Sequence, residues 1–281
     1  MPELPEVETV VRGLRNRIVG WELSQVEVCQ EKCLGGRKEA LAALLQKKKI
    51  LAVERRGKNV ILRLSRGGAL FVHLGMSGRL RVLPRSAPRE KHTHLVFSFL
   101  KHGDQLRFID PRRFGRVVWE GGKKGEWAFL SRLGPEPLEI PPSEFAARMR
   151  SRHREIKPLL LDQHFLAGVG NIYADESLHR AGIHPRRKSD SLSGKTLSRL
   201  HRAVQGVLSE AIKARGTSVR SYVDSSGSAG GYQHSLRVYG REGESCLACG
   251  VRIVREIVGG RSSFYCPRCQ RKLSAGRAGK Q

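Results

Sequence analysis

Two closely spaced cysteine pairs, Cys246-x2-Cys249 and Cys266-x2-Cys269 with sixteen residues between them, constrain the fold of this chain more than any other feature. Each C-x2-C turn presents two thiolates to one tetrahedral ion, and the interval is long enough for a β-hairpin that returns the second turn to the first. Disulfides are the structural alternative, which an intracellular setting disfavours. The spacing therefore predicts one structural Zn2+. With sulfur in all four positions no place is left for a catalytic water, so the ion shapes the fold and chemistry must come from elsewhere. Cys29 and Cys33 stand apart and read as ordinary small residues.

Charge sets the next bound. The 281 residues carry 52 Lys and Arg against 26 Asp and Glu, a formal net charge of +26. That excess points to a polyanionic partner, with DNA or RNA ahead of a ribosomal-type role or an anionic membrane surface, since no basic amphipathic helix or low-complexity tail dominates the charge. No run of about 18 apolar residues could span a membrane, and the acidic N-terminus lacks the layout of a secretory signal. The expectation is a cytoplasmic protein with no membrane association. The length predicts two folded domains and a small appendage.

Apolar residues at Leu4, Val7, Val10, Val11, Leu14 and Ile18 repeat as one helical face, predicting a helix from Glu3 to Val19. From Trp21 the period falls towards two. Runs at 59–65, 69–75, 78–84, 94–100 and 105–110, punctuated by glycine, predict an antiparallel sandwich or barrel with the first helix and a second one (Lys38–Gln46) packed on it. Beyond Leu133-Gly134-Pro135 the pattern turns helical, with N-cap candidates at Ser143 and at Ser193, the latter before a long helix to Ala214. The fold class is α+β, with domains at 1–132 (β-sandwich), 133–224 (helical) and 237–271 (zinc hairpin). Residues 224–231 (DSSGSAGG) read as a mobile surface loop, and the basic tail 272–281 as disordered.

Two segments carry chemistry. If Met1 is trimmed from MPELPEVET, Pro2 becomes a free secondary amine, a class that titrates near pH ~8 and is a far better nucleophile at neutrality than lysine. Its attack on an aldehyde-level carbon gives an iminium, an electron sink for later eliminations. The simpler role for Pro2 is a place in the first helical turn, with Glu3 and Glu6 complementing the dipole. In the segment 156–183, Gly168 and Gly170 form a turn before a helix that opens at Asn171, where a phosphate would fit, although a plain glycine turn with an asparagine cap is the alternative.

Taken together, MPELPEVET, HLGMSG, DPRRFG, GVGNIYADES and the four-cysteine hairpin resemble the bacterial formamidopyrimidine-DNA glycosylase (Fpg/MutM) family, from residue 2 to residue 269. The resemblance implies a β-sandwich with an N-terminal helix, a helix-two-turn-helix domain and a zinc finger, with DNA lying across the cleft. It implies a monomeric, nucleoid-associated base-excision enzyme that needs no small-molecule cofactor. Such an enzyme removes oxidised purines (8-oxoguanine, formamidopyrimidines) from damaged double-stranded DNA and nicks the strand by β,δ-elimination. Pro2 matches the nucleophile at C1′, Glu3 the acid that protonates the sugar-ring oxygen, and Lys58 the phosphate contact and β-elimination proton donor. Arg261 matches the arginine at the hairpin tip that grips phosphates, where charge stabilisation suits a guanidinium better than proton transfer. Asn171 matches a phosphate-binding asparagine. Met76, Arg112 and Phe114 match the trio that fills the hole left by the extruded nucleotide, although Met76 and Phe114 also suit a core. His73, His92, Arg113 and Arg152 map to positions touching phosphate or sugar.

Two other functions remain open from sequence. An endonuclease VIII-like enzyme would prefer oxidised pyrimidines, and Leu4, where that branch more often has glycine, speaks against it. A non-enzymatic zinc-ribbon binder would use the same charge merely to neutralise phosphates. Residues 216–233 fall where the family has a loop that caps the extruded base and are only loosely similar to it, which leaves the ranking of lesions open.

Overall fold

The structure, a computed structural model, describes residues 1–35, 38–122, 128–218 and 227–272. Residues 224–226 of the predicted surface loop, the central part (219–226) of the predicted capping loop, and 273–281 of the predicted tail lie outside the described residues. The chain forms two compact units, one of Met1–Arg132 with Ala211–Gln233, the other of Leu133–Glu210 with His234–Gln281.

The first unit opens with α1 (Leu4–Ile18), whose Val7, Val10, Val11, Leu14 and Ile18 are all buried, as their helical spacing predicts. Next come β1 (Leu23–Val28), α2 (Lys38–Leu45), β2 (Ile50–Arg56), β3 (Asn59–Leu64), β4 (Ala69–His73), β5 (Arg79–Pro84), β6 (Thr93–Phe99), β7 (Asp104–Ile109) and β8 (Arg116–Glu120). They make two antiparallel four-stranded sheets, in the orders β1-β6-β7-β5 and β2-β3-β4-β8. Val60, Leu62, Leu70 and Val72 of one sheet share a core with Leu80, Val82, Leu95, Phe97, Leu106 and Phe108 of the other, so the predicted sandwich is the observed architecture. Short α3 (Ala128–Ser131) follows.

In the second unit α4 (Pro142–Arg150), α5 (Ile156–Leu161) and α6 (Asn171–Arg180) lead to α7 (Gly194–Lys213), whose last turn belongs to the first unit. Ser143 is not the cap of α4. Pro141 takes that position with extended φ and ψ, and Pro142 starts the helix, because a proline loses nothing where the N–H would have no helical partner. Ser193 does cap α7, its Oγ accepting the Thr196 N–H at 3.3 Å. The hairpin β9 (Val254–Val258) and β10 (Arg261–Tyr265) closes the unit. Its two-residue turn has positive φ at both Gly259 (+56°) and Gly260 (+75°), the geometry that matches strand twist and that glycine adopts without strain. Among the described residues no helix is long and apolar enough to cross a membrane.

Candidate active site and nucleic-acid interface

The start of α1 is built around three acids, Glu3, Glu6 and Glu8. Pro2 is buried, and Glu3 and Glu6 are 2% and 1% exposed. Glu6 Oε2 accepts the Glu3 N–H at 2.8 Å, the reciprocal half of a capping box with Glu3. Its other oxygen, Oε1, accepts the Thr217 N–H at 2.7 Å, and a Cβ at Gly216 (φ +82°) would fall 2.7 Å from it. Read from sequence as complementing the helix dipole, Glu6 is also the tie between the helix start and the segment entering the predicted capping loop. The two ends of that loop are stapled together: Ser218 N–H donates to Gln233 Oε1, Gly230 N–H to Ser218 Oγ, and Gln233 Nε2 to Gly230 O.

Lys58 lies in the two-residue turn joining β2 to β3, the strands on which α1 packs, and is 7% exposed. A relay from α1 fixes that turn. Glu8 accepts from Arg12 and Arg55, each at 2.9 Å, and Arg55 Nη1 donates to the Gly57 carbonyl at 3.1 Å. Burial alone would raise the Glu8 carboxyl, but the two guanidinium groups outweigh it and hold the pKa below its ordinary value. His73 faces Asn59 across the β3–β4 pair, and its Nδ1 accepts the Gly75 N–H at 3.1 Å. Burial, then the positive charge of Lys58, holds this imidazole below its ordinary pKa. Helix start, Lys58 and His73 therefore sit on neighbouring elements of one unit.

Met76, Arg112 and Phe114 occupy two loops fastened by one buried carboxylate. Asp110, fully buried, accepts from Ser77 Oγ at 2.5 Å, Arg112 N–H at 3.3 Å and Gly115 N–H at 2.7 Å. Gly75 makes the close approach possible, since a Cβ there would come within 2.6 Å of the Phe114 and Gly115 backbone. The result exposes Met76 (36%) and Phe114 (55%), with Arg112 Cζ 5.2 Å from the Phe114 ring centroid. Neither is a core residue. Arg113, with φ +58°, is exposed on the same loop, and the His92 carbonyl accepts the Asp110 N–H at 3.0 Å, which places both beside this wedge.

In the second unit Asn171 is the first residue of α6, and its Nδ2 donates to the Ser262 carbonyl at 2.9 Å. Lys157 Nζ donates to the same carbonyl at 2.9 Å and pairs with Asp175 Oδ1 at 2.7 Å, while Asp175 Oδ2 accepts the Phe264 N–H at 3.0 Å. Burial pushes the Asp175 carboxyl up against the pull of Lys157. These contacts seat β10, whose exposed first residue is Arg261. Sequence reading named neither Lys157 nor Asp175; a lysine in IKPLLL and an acid inside ADES were the available signals. Arg152 lies elsewhere, exposed in the segment after α4, where its carbonyl takes the Ser189 hydroxyl. The four cysteine sulfurs lie within 4.8 Å of one another, with Cys249–Cys266 at 3.4 Å and Cys246–Cys269 at 3.9 Å. A tetrahedron of Zn–S bonds of about 2.3 Å has edges of about 3.8 Å, so the donor set fits that ion.

An antiparallel sandwich led by a Pro-Glu helix, then a helical unit carrying a four-cysteine hairpin, is the architecture of the helix-two-turn-helix DNA glycosylases. Three family matches tile it. The formamidopyrimidine-DNA glycosylase N-terminal domain matches residues 1–117, the H2TH domain of the same enzymes 133–223, and the zinc finger found in FPG and IleRS 243–271. The formamidopyrimidine-DNA glycosylase of Pelotomaculum thermopropionicum is 48% identical, with 96% of this chain and 99% of that protein aligned. That of Geobacillus kaustophilus is 45% identical, over 96% and 100%. Lactococcus lactis Fpg in complex with DNA containing an abasic site matches with a TM-score of 0.90 at 39% identity, over 96% of this chain and 100% of that one. This chain belongs to the formamidopyrimidine-DNA glycosylase family, and its four cysteines form one structural zinc site.

Proposed function

We propose that this protein is a bifunctional DNA glycosylase and AP lyase that removes oxidised purines from duplex DNA in base excision repair. The observation that carries the reading is the Pro2–Glu3 start of α1, packed against the strands that flank Lys58 in a member of this family. Among the solved structures it resembles are a Lactococcus lactis Fpg mutant in complex with a Fapy-dG-containing DNA and MutM in complex with carbocyclic 8-oxo-G-containing DNA.

After loss of Met1, the Pro2 nitrogen bonds to C1′ as the base departs with its electron pair and a proton. Glu3 protonates the ring oxygen, and ring opening leaves an iminium. The iminium acidifies C2′, so loss of that proton expels the 3′-phosphate and a second elimination expels the 5′-phosphate. Lys58 donates a proton in the first elimination, and Arg261 and Asn171 take phosphate oxygens, the guanidinium stabilising charge. Met76, Arg112 and Phe114 fill the space of the extruded nucleotide, recovering part of the few kcal/mol of unstacking. His73, His92, Arg113 and Arg152 touch phosphate or sugar. The enzyme acts as a monomer in the cytoplasm, at the nucleoid, where its substrate is.

Borohydride reduction on a duplex with 8-oxoguanine opposite cytosine, read by intact mass, tests this. A covalent adduct on protein lacking Met1, lost in Pro2→Gly, is the expected result. Duplex binding with no adduct would make the protein a binder, and an adduct formed preferentially on oxidised pyrimidines would move it to the endonuclease VIII branch.

A further inference from the structure

Asn171, Asp175 and His179 recur at every fourth residue of α6 and so share one face of the helix. That face bears the zinc hairpin along its length. Asn171 and Asp175 hold the backbone of β10 through Ser262 and Phe264, and one turn further on His179 Nε2 lies 3.7 Å from Cys246 Sγ, within hydrogen-bonding range of a sulfur. Cys246 is 2% exposed, so water is largely excluded from this sulfur.

A zinc ion with four thiolates carries two net negative charges, which N–H···S bonds disperse. One of these sulfurs takes a donor from within its own turn, Cys266 from the Cys269 N–H at 3.4 Å. Cys246 instead meets a side chain from a helix 67 residues earlier in the chain. We propose that His179 is an outer-sphere residue of the zinc centre, its Nε2–H donating to the Cys246 thiolate so that α6 holds the ion as well as the hairpin. The bond lowers the negative charge on Cys246 and slows the escape of that sulfur from the metal.

The test uses the zinc-loaded full chain and reads metal release to a chromophoric chelator, with no DNA present. His179→Phe keeps volume and removes the donor, and should lose zinc at least about 10-fold faster, as is usual when an outer-sphere partner is removed. His179→Gln retains a side-chain N–H and should release zinc more slowly than His179→Phe, close to the wild-type rate. Equal release from wild type and His179→Phe would overturn the proposal. Cobalt-substituted protein gives a second reading: the sulfur-to-cobalt charge-transfer band should move to lower energy in His179→Phe while wild type keeps a tetrathiolate spectrum. A nitrogen-ligated spectrum in wild type would make His179 a direct ligand and sink the outer-sphere role. Should His179→Phe not fold, cadmium-113-substituted wild type decides alone. A scalar coupling between cadmium and the His179 Nε2 proton supports the bond, and a proton on Nδ1 with none on Nε2 overturns it.

Discussion

Replacing Asp175 with asparagine isolates the most deeply buried charge pair among the described residues. Lys157 and Asp175 are 0% and 1% exposed at the side chain, and the pair joins α5 and α6 to β10 through Ser262 and Phe264. Asparagine offers one acceptor oxygen where two donors, the Lys157 ammonium and the Phe264 N–H, each need one. Breaking a buried pair by removing one partner typically costs about 3–5 kcal/mol, because the other charge is left uncompensated. A ceiling applies, since the ammonium can escape by releasing its proton. From an ordinary pKa of about 10.4 that costs about 3.3 kcal/mol at pH 8 and about 1.2 kcal/mol at pH 9.5. A lysine neutral in the folded state and charged in the unfolded one makes the variant gain stability as pH rises towards the unfolded value. The destabilisation of Asp175→Asn should therefore be about 3 kcal/mol at pH 8 and shrink to about 1 kcal/mol at pH 9.5. Chemical unfolding followed by circular dichroism measures it, and tryptophan fluorescence is the control, because Trp21, Trp119 and Trp127 all precede the second unit in the chain. Lys157→Met with Asp175→Leu, which removes both charges, should recover most of the loss. A loss below about 1 kcal/mol at pH 8, or one that does not narrow with pH, refutes the view that this pair seats the hairpin.

Glu8→Gln should cost about 1.5–3 kcal/mol at pH 7, the worth of hydrogen bonds to a charged group. Because the folded carboxyl titrates below its ordinary 4.5, its stabilisation is present above that value and lost as pH falls through the depressed one. The gap between variant and wild type in urea should close as pH falls below the ordinary carboxyl value and through the depressed one, and a gap that stays constant would show that Glu8 is not ionised in the folded protein. Asp110→Asn turns an N–H2 towards either the Ser77–Arg112 side or the Gly115 N–H, and should lower sandwich stability by about 1–3 kcal/mol, read by tryptophan fluorescence. An unchanged midpoint would mean that the two wedge loops are held by something else. Arg261→Ala should flatten the salt dependence of duplex binding by about 0.9 in log K against log salt, one phosphate contact, and an unaltered slope would remove the hairpin tip from the interface.

The path from strand pattern to site shows how far local sequence reaches. The runs singled out from periodicity include the four central strands, β3, β4, β6 and β7. Strands β1, β2 and β8 were not singled out, and all three are sheet edges. The fourth edge, β5, was read because its alternation is clean, whereas β2 keeps charged residues at Glu54, Arg55 and Arg56 and alternates weakly. The proposed chemical residues were readable for a different reason: Pro2, Glu3 and the cysteines act through their own atoms at fixed short spacings, and the motifs around Lys58, Asn171 and Arg261 are contiguous.

What the sequence determined by itself are properties set by neighbours along the chain: the apolar face of α1, the cap at Ser193, the turn at Gly259–Gly260 and the pairing of thiolates. Only the tertiary structure decided which polar groups meet across distance. Glu6 meets Thr217 across 211 positions, Lys157 meets Ser262 across 105, and His179 meets Cys246 across 67. A buried polar atom must find a partner wherever packing supplies one, and sequence spacing carries no record of that choice.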